Sequence, residues 1–318
     1  MQQGGSRGAY LTRRLAILWI THLWSPELEA AFEDLLRMRN SSDHDVDVWL
    51  LLDASTPGAN TLTARYKRHH LFDETRLFNL PYARIPGRPR IPGRSLLHHA
   101  HFPLLDFYHS HPEYDYFWAI EYDVRYTGQW NQFFASFEDF DHDLITAHIR
   151  RYAEEYRWNW WRSLQHPSKV IPCEKYLRSL NVIYRVSRKA LAYLHSAQID
   201  GWRGHPEATF PTLLSEAGFR LLDMGGDGEF TPPGFRNRFY TSSATSSGRF
   251  SPFRTVRDLP ARSRPGHSRN KLYHPIKPVH MVEPWPKRLL ISFWWIRSLG
   301  KDAAIFLYSK GKSVLEKF

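Results

Sequence analysis

An α/β fold with an open, mostly parallel sheet covered by helices on both faces is what this sequence predicts. Three observations carry that expectation. Short apolar runs alternate with helix-patterned stretches over the first 230 residues, the rhythm of strand–helix–strand units. The apolar set reaches 42 %, with 20 Phe, 16 Tyr and 12 Trp, too much large apolar surface for a disordered chain. One cysteine, Cys173, excludes an intramolecular disulfide framework and a Cys-rich zinc site, so the core must come from packing.

The elements follow in order. Leu15–Leu23 reads as a first strand; Arg13 and Arg14 precede it, but no small-residue cleavage pattern follows, so a processed leader is the lesser reading. Ser25 is placed to cap a helix, Pro26 sits at its first position, and 27–38 has helical spacing. Val46–Leu52 reads as a second strand, ended by Asp53-Ala54-Ser55-Thr56-Pro57-Gly58. A Pro/Gly/Arg loop at 86–93 leads to a helix expected from Ser95 to about Ser110. Further strands are expected at 116–123, 144–149, 182–186 and 219–224, with helices at 187–196 and 209–217. Ligands in such sheets bind outside the carboxyl ends of the strands, which locates the chemistry in advance.

The organisation expected is a flexible 1–12, a catalytic domain over 13–283, and an amphipathic helical tail over 284–318. Within the domain, 231–272 holds nine Lys/Arg against the single acid Asp258 and is rich in Ser, Pro and Gly. It reads as a long basic loop, a lid that closes over a bound anion. The tail carries Trp285, Phe293, Trp294, Trp295 and Ile296 among Lys and Arg; it suits packing on the domain, with a membrane surface as the alternative. No run of 18 uncharged apolar residues exists, so no simple membrane span is expected. Cytoplasmic residence is expected, with a peripheral place on the membrane face left open.

The segment that carries chemistry is Trp118-Ala119-Ile120-Glu121-Tyr122-Asp123-Val124-Arg125. If the strand runs through Asp123, Glu121 and Asp123 share a face about 7 Å apart. Two carboxylates there repel unless a cation separates them. Hard oxygen ligands suit Mg²⁺ or Mn²⁺; neutralisation by Arg125 and nearby arginines is the alternative.

The longer string Tyr114-Asp115-Tyr116-Phe117-Trp118-Ala119-Ile120-Glu121-Tyr122-Asp123-Val124-Arg125-Tyr126-Thr127-Gly128 resembles the GT-A-fold glycosyltransferases, which use nucleotide-sugar donors. It is most similar to a GT-A-like family with a YDYFWxxExDVRYTG segment. The resemblance implies a hexosyltransferase-like enzyme acting on a nucleotide-diphosphate sugar, UDP-linked by expectation, with Mn²⁺ or Mg²⁺ as cofactor. It implies Asp123 as a direct metal ligand and Glu121 as a ligand through water or a ribose contact. It implies Thr21 and His22 beside the nucleoside base, Asp53 on the nucleoside, and Arg94 on ribose or phosphate. His274, in Leu272-Tyr273-His274-Pro275-Ile276-Lys277, implies a third metal ligand, with Lys277 on the diphosphate. Glu207, after Gly201-Trp202-Arg203-Gly204-His205-Pro206, matches the place of a catalytic base, with Trp202 and His205 in the acceptor site and Asp227 as the lesser base. The acceptor is a hydroxyl on a glycan, lipid or protein. Each residue also has a plain structural reading: a turn aspartate, a surface arginine, a core tryptophan, a helix-terminal glutamate. The +11 net charge also fits a nucleic-acid-binding protein, but no helix-turn-helix, RNP-like or zinc signature accompanies it. A catalytically silent nucleotide-binding relative is the alternative that the motif itself leaves open.

Overall fold

A computed structural model describes residues 13–38, 45–82, 99–242, 253 and 261–282. The fold is a seven-stranded sheet ordered β3-β2-β1-β4-β7-β6-β8 with helices on both faces. β1 (Leu15–Thr21) pairs in parallel with β2 (Val46–Asp53) and β4 (Tyr116–Glu121), and β2 with β3 (His69–Phe72). The long β7 (Leu177–Ser187) runs antiparallel to β4 and to β6 (Leu144–Arg151), while β8 (Leu221–Asp223) is parallel to β6. The expected open, mostly parallel sheet is therefore observed, with β7 the one strand antiparallel to its neighbours.

The central strands are apolar on both faces because both faces are covered. Ile17, Trp19, Trp118 and Ile120 point into one core. Ala16, Leu18, Phe117 and Ala119 point into the other. The helix α1 (Pro26–Arg37) covers the first core, capped by the Ser25 hydroxyl on the Leu28 N–H as the sequence predicts. The short helices α2 (Ala59–Arg65) and α3 (Glu74–Phe78) flank β3. The second core lies beneath α4 (Phe102–Ser110), α6 (Arg188–Asp200) and α7 (Pro206–Glu216). α5 (Trp130–Ala135) returns to the first core through Trp130, Phe133 and Phe134.

Several boundaries move. α4 starts at Phe102, with Pro103 in its first turn; 95–98 lies outside the described residues. The first strand ends at Thr21 and the fourth at Glu121, so Tyr122 and Asp123 occupy a turn. The edge strand β3 escapes a sequence reading because it is four residues long and carries two histidines.

The described parts of 231–272 hold little regular structure, as a loop would, but they are anchored. Phe235, Phe239, Tyr240, Phe253 and Leu272 all enter the first core. Their aromatic surface outweighs the basic residues between them. A two-residue strand, β9 (Leu272–Tyr273), pairs antiparallel with β5 (Arg125–Tyr126). Residues 243–252, 254–260 and the tail 284–318 lie outside the described residues, as do 1–12 and Arg94. Among the described residues no helix is long and apolar enough to cross a membrane.

Two fully buried histidines make the fold acid-sensitive. Burial, the dominant cause in both, holds His101 and His148 down to about 3. His101 Nε2 meets Gln198 Oε1 at 3.2 Å and His148 Nε2 meets the Phe253 carbonyl at 2.9 Å. Both rings are neutral when folded and bind a proton more readily when unfolded. Their contribution is therefore intact above about pH 6.5 and is lost as pH falls, at up to about 1.4 kcal/mol per pH unit for each histidine. Urea unfolding at pH 7.5, 6.5 and 5.5 is expected to show a falling midpoint across the last interval; a flat series contradicts the assignment.

Candidate active site

The site lies where β1, β2 and β4 end together. Register pairs Ile20 with Glu121 and Thr21 with Leu52, which brings Thr21, His22, Asp53, Glu121 and Asp123 to the carboxyl edge of the sheet. After Glu121 the chain turns, with the Val124 N–H donating to the Glu121 carbonyl. Arg125 donates to the Tyr122 carbonyl at 2.6 Å and the Val124 carbonyl at 2.8 Å, so it braces this turn.

A strap from the C-terminal part of the chain supplies the partners. The Ile276 N–H donates to the Asp123 carbonyl at 2.8 Å, next to the β5–β9 pair. That clamp delivers His274 and Lys277. His274 Nε2 lies 3.3 Å from Asp123 Oδ1 and 3.9 Å from Glu121 Oε2. Lys277 Nζ lies 2.9 Å from Asp123 Oδ2 and donates to the Tyr122 hydroxyl at 2.7 Å. Glu121, Asp123 and His274 each offer one ligand atom, all within 4.8 Å of one another.

Asp123 and His274 are buried and Glu121 is half-buried. Burial works against charge on Asp123, but His274 and Lys277 outweigh it and hold the carboxyl well below its usual range. Glu121 moves the other way, pushed up first by burial and then by the Asp123 charge. Burial opposes charge on Lys277 too; Asp123 and Tyr122 overcome it, so the ammonium stays fully charged at neutral pH. Adjacent acids driven apart in this way recur in functional sites. The Asp123 Oδ1 atom is buried against His274 Nε2 at 3.3 Å. Two carboxylates and an imidazole that converge in this way together fit a divalent cation.

The remaining expected residues divide. His22 faces the site: its ring meets Tyr122 edge-on at 5.1 Å, and partial burial followed by the Lys277 charge lowers its pKa. Asp53 lies near enough for its charge to act on His22, while its Oδ1 accepts from the Ser55 N–H and hydroxyl at 2.8 and 2.7 Å. Thr21 is buried and donates its hydroxyl to the Leu23 carbonyl at 2.6 Å, so it shapes the turn. Glu207 is buried at the start of α7, where its Oε1 accepts from the Asn181 N–H at 3.3 Å; its charge is felt at Glu121.

His205 caps α7, its Nδ1 accepting from the Glu207 N–H at 3.4 Å and lying 3.7 Å from Glu207 Oε2. Gly204 makes that loop fit: its φ is +152°, and a Cβ there would stand 2.9 Å from the Ser163 carbonyl oxygen. Trp202 corrects its expected place in an acceptor site. It turns inward to the second core and packs on the His166 ring at 5.0 Å. Asp227 is ion-paired with Arg150; burial opposes its charge, but Arg150 outweighs that and holds the carboxyl below the usual range, which makes it a poor base.

Three contributors were not foreseen. Tyr122 stands between His22 and Lys277, and Asn181 fixes Glu207. Trp160, half-exposed, stacks on His205 with centroids 4.5 Å apart and 20° between planes. The dense string Trp158-Asn159-Trp160-Trp161 was the available signal for that surface.

Residues 69–143 match a sequence family described as Protein of unknown function (DUF3405), and this span includes the acidic segment. No curated protein sequence matches the chain. Among solved structures, a mannosyltransferase from Pyrobaculum calidifontis in complex with GDP-Man and Mn²⁺ is similar at 14 % identity and TM-score 0.37, over 71 % of this chain and 56 % of that one. Mouse xyloside xylosyltransferase 1, in its apo form, is similar at 11 % identity and TM-score 0.37, over 67 % and 85 %. A putative glucose-1-phosphate thymidylyltransferase from Bacillus anthracis, in complex with a sucrose, gives 12 % and 0.36, over 68 % and 88 %. Likeness at this level decides nothing about activity, so the functional reading rests on the side chains.

Lys277 is the internal counter-charge of the cluster. Lys277→Met is expected to destabilise the cation-free protein by about 3–5 kcal/mol, since it leaves buried carboxylate charge uncompensated. Mn²⁺ is expected to restore much of that loss. Thermal unfolding of the variant with and without Mn²⁺ checks both, and equal stability of wild type and variant contradicts the role.

Proposed function

We propose that this chain is a metal-dependent glycosyltransferase that moves a sugar from a nucleotide-diphosphate donor to a hydroxyl acceptor. The observation that carries the reading is the Glu121–Asp123–His274 cluster beside Lys277, at the carboxyl edge of the sheet. Glu121, Asp123 and His274 would hold Mn²⁺ or Mg²⁺, which supplies charge to offset that developing on the diphosphate leaving group. Lys277 is then released from Asp123 to meet a phosphate oxygen as a point charge. His22 and Tyr122 form the wall toward the nucleoside, with Asp53 at its rim. Arg94 keeps its expected place on ribose or phosphate as part of this proposal.

Glu207 is the proposed base that takes the acceptor hydroxyl proton, and Asn181 keeps its carboxylate oriented. The acceptor approaches over Trp160 and His205, because the apolar CH face of a sugar packs well on an aromatic ring. Fixed charges at a partly desolvated site are the largest expected catalytic contribution.

A second reading draws on Lys277. An ammonium already neutralises Asp123, so the chain can bind a nucleotide with no metal and no transfer. Thermal shift with nucleotide sugars, with and without Mn²⁺, separates the two. The proposal expects Mn²⁺-dependent stabilisation by a nucleoside-diphosphate sugar; the second reading expects stabilisation that ignores Mn²⁺.

Asp123→Ala is expected to abolish transfer, at least about 10²–10³-fold, with the fold retained. Glu207→Gln is expected to lower kcat by about 10²–10⁴ while donor binding persists. Wild-type turnover in Asp123→Ala ends the proposal.

A further inference from the structure

A second cluster of ligand-type side chains lies in the helical layer, apart from the acids. Tyr82 follows α3, His109 is in the last turn of α4, and His195 is in the body of α6. Tyr82 Oη lies 2.9 Å from His109 Nε2 and 3.0 Å from His195 Nδ1, and the two nitrogens are 3.0 Å apart. The two imidazoles are steeply inclined rather than stacked, with centroids 4.3 Å apart and 71° between planes.

An imidazole nitrogen that carries a proton has no lone pair left to accept with, and one that lacks it cannot donate. Unless one proton is shared between two acceptors, the three atoms make two hydrogen bonds and the third edge is a close polar contact. Three ligand-type atoms brought from three segments to within 3.0 Å of one another are an arrangement that a bound cation can use.

We propose that Tyr82, His109 and His195 form a binding site for a borderline transition-metal ion of the Zn²⁺ class, separate from the acidic cluster. Zinc bound by imidazole at about 2.0–2.1 Å in a tetrahedron sets adjacent ligand atoms about 3.3 Å apart. Each edge of the triangle needs to widen by only a few tenths of an ångström. The donor types sort the two sites: nitrogen ligands favour zinc, whereas the carboxylates of Glu121 and Asp123 favour Mg²⁺ or Mn²⁺. Access is provided, because His109 is exposed and His195 half-exposed, while Tyr82 is buried beneath them. A solvent water completes the fourth position.

Burial, followed by the His109 charge, keeps His195 below its ordinary pKa, in the neutral form that binds metal. Tyr82 is a neutral phenol without the ion, since burial pushes it up; it enters as phenolate and releases its proton to solvent. The consequence is a clip joining α4, α6 and the segment after α3 over the second core.

The test uses the full untagged chain carrying Asp123→Ala, in which the acidic cluster is dismantled. Titrated with Zn²⁺, this chain is expected to bind one equivalent, and with Co²⁺ to show the visible absorption of a tetrahedral nitrogen–oxygen site. Adding His109→Ala or His195→Ala is expected to weaken Zn²⁺ binding at least 100-fold. Tyr82→Phe, which keeps the ring, is expected to weaken it about tenfold or more. Exposed His109 is the position where substitution leaves the fold intact, so that variant decides if His195→Ala fails to fold. Absence of Zn²⁺ binding to the Asp123→Ala chain up to millimolar concentration overturns the proposal, as does undiminished binding in His109→Ala. Undiminished binding in Tyr82→Phe overturns the three-ligand site.

Discussion

Two carboxylates at the end of a buried strand cannot both stay charged without something positive against them. Most of the arrangement around Glu121 and Asp123 answers that constraint. The Asp123 side chain is enclosed between His274 and Lys277, and its main-chain carbonyl is held by the Ile276 N–H. Charge and backbone are thus fixed by the same four-residue stretch, 274–277. The strap that delivers it is bound in turn by the β5–β9 pair and by aromatic residues sunk into the first core.

A second buried acid secures that strap from the other end. Asp223, at the end of β8, accepts from the N–H groups of Gly225, Gly226 and Ile149 and from the Tyr240 hydroxyl. Burial raises its pKa, and these donors work against the rise. Tyr240 also accepts the His148 N–H, while the His148 ring reaches the Phe253 carbonyl. The chain beyond β8 is therefore tied to β6 before it returns to Asp123. Rigid support of this kind is what a cluster of like charges needs, because small displacements would let the carboxylates relax away from their partners.

Sequence reading went furthest where the signal was local. The Glu121-Tyr122-Asp123 string, the Ser25 cap with Pro26, and the alternation of strands and helices each depend on neighbours a few residues apart. His274 and Lys277 were found by residue type, and the fold brings both to Asp123 from about 150 positions away. Trp202 misled because a tryptophan beside glycines reads equally as a sugar platform or as core; only the packed fold shows that it faces inward. The charge of 231–272 drew the reading away from its five aromatic residues, among them Phe235, Phe239 and Tyr240. Trp160 went unassigned because its partner, His205, lies 45 positions later in the chain.

By itself the sequence determined the layered α/β architecture and the strand end where acidic chemistry sits, since hydrophobic period and strand-end residue type are properties of short windows. Tertiary structure alone decided which charges meet. It set Lys277 and His274, not Arg125, against Asp123, turned Glu207 toward Asn181, paired Asp227 with Arg150, and closed Tyr82, His109 and His195 into a triangle. The physical reason is that electrostatic and ligand geometry depends on distances of a few ångströms between segments far apart in sequence. Those distances exist only after the sheet has ordered its strands and the two cores have packed.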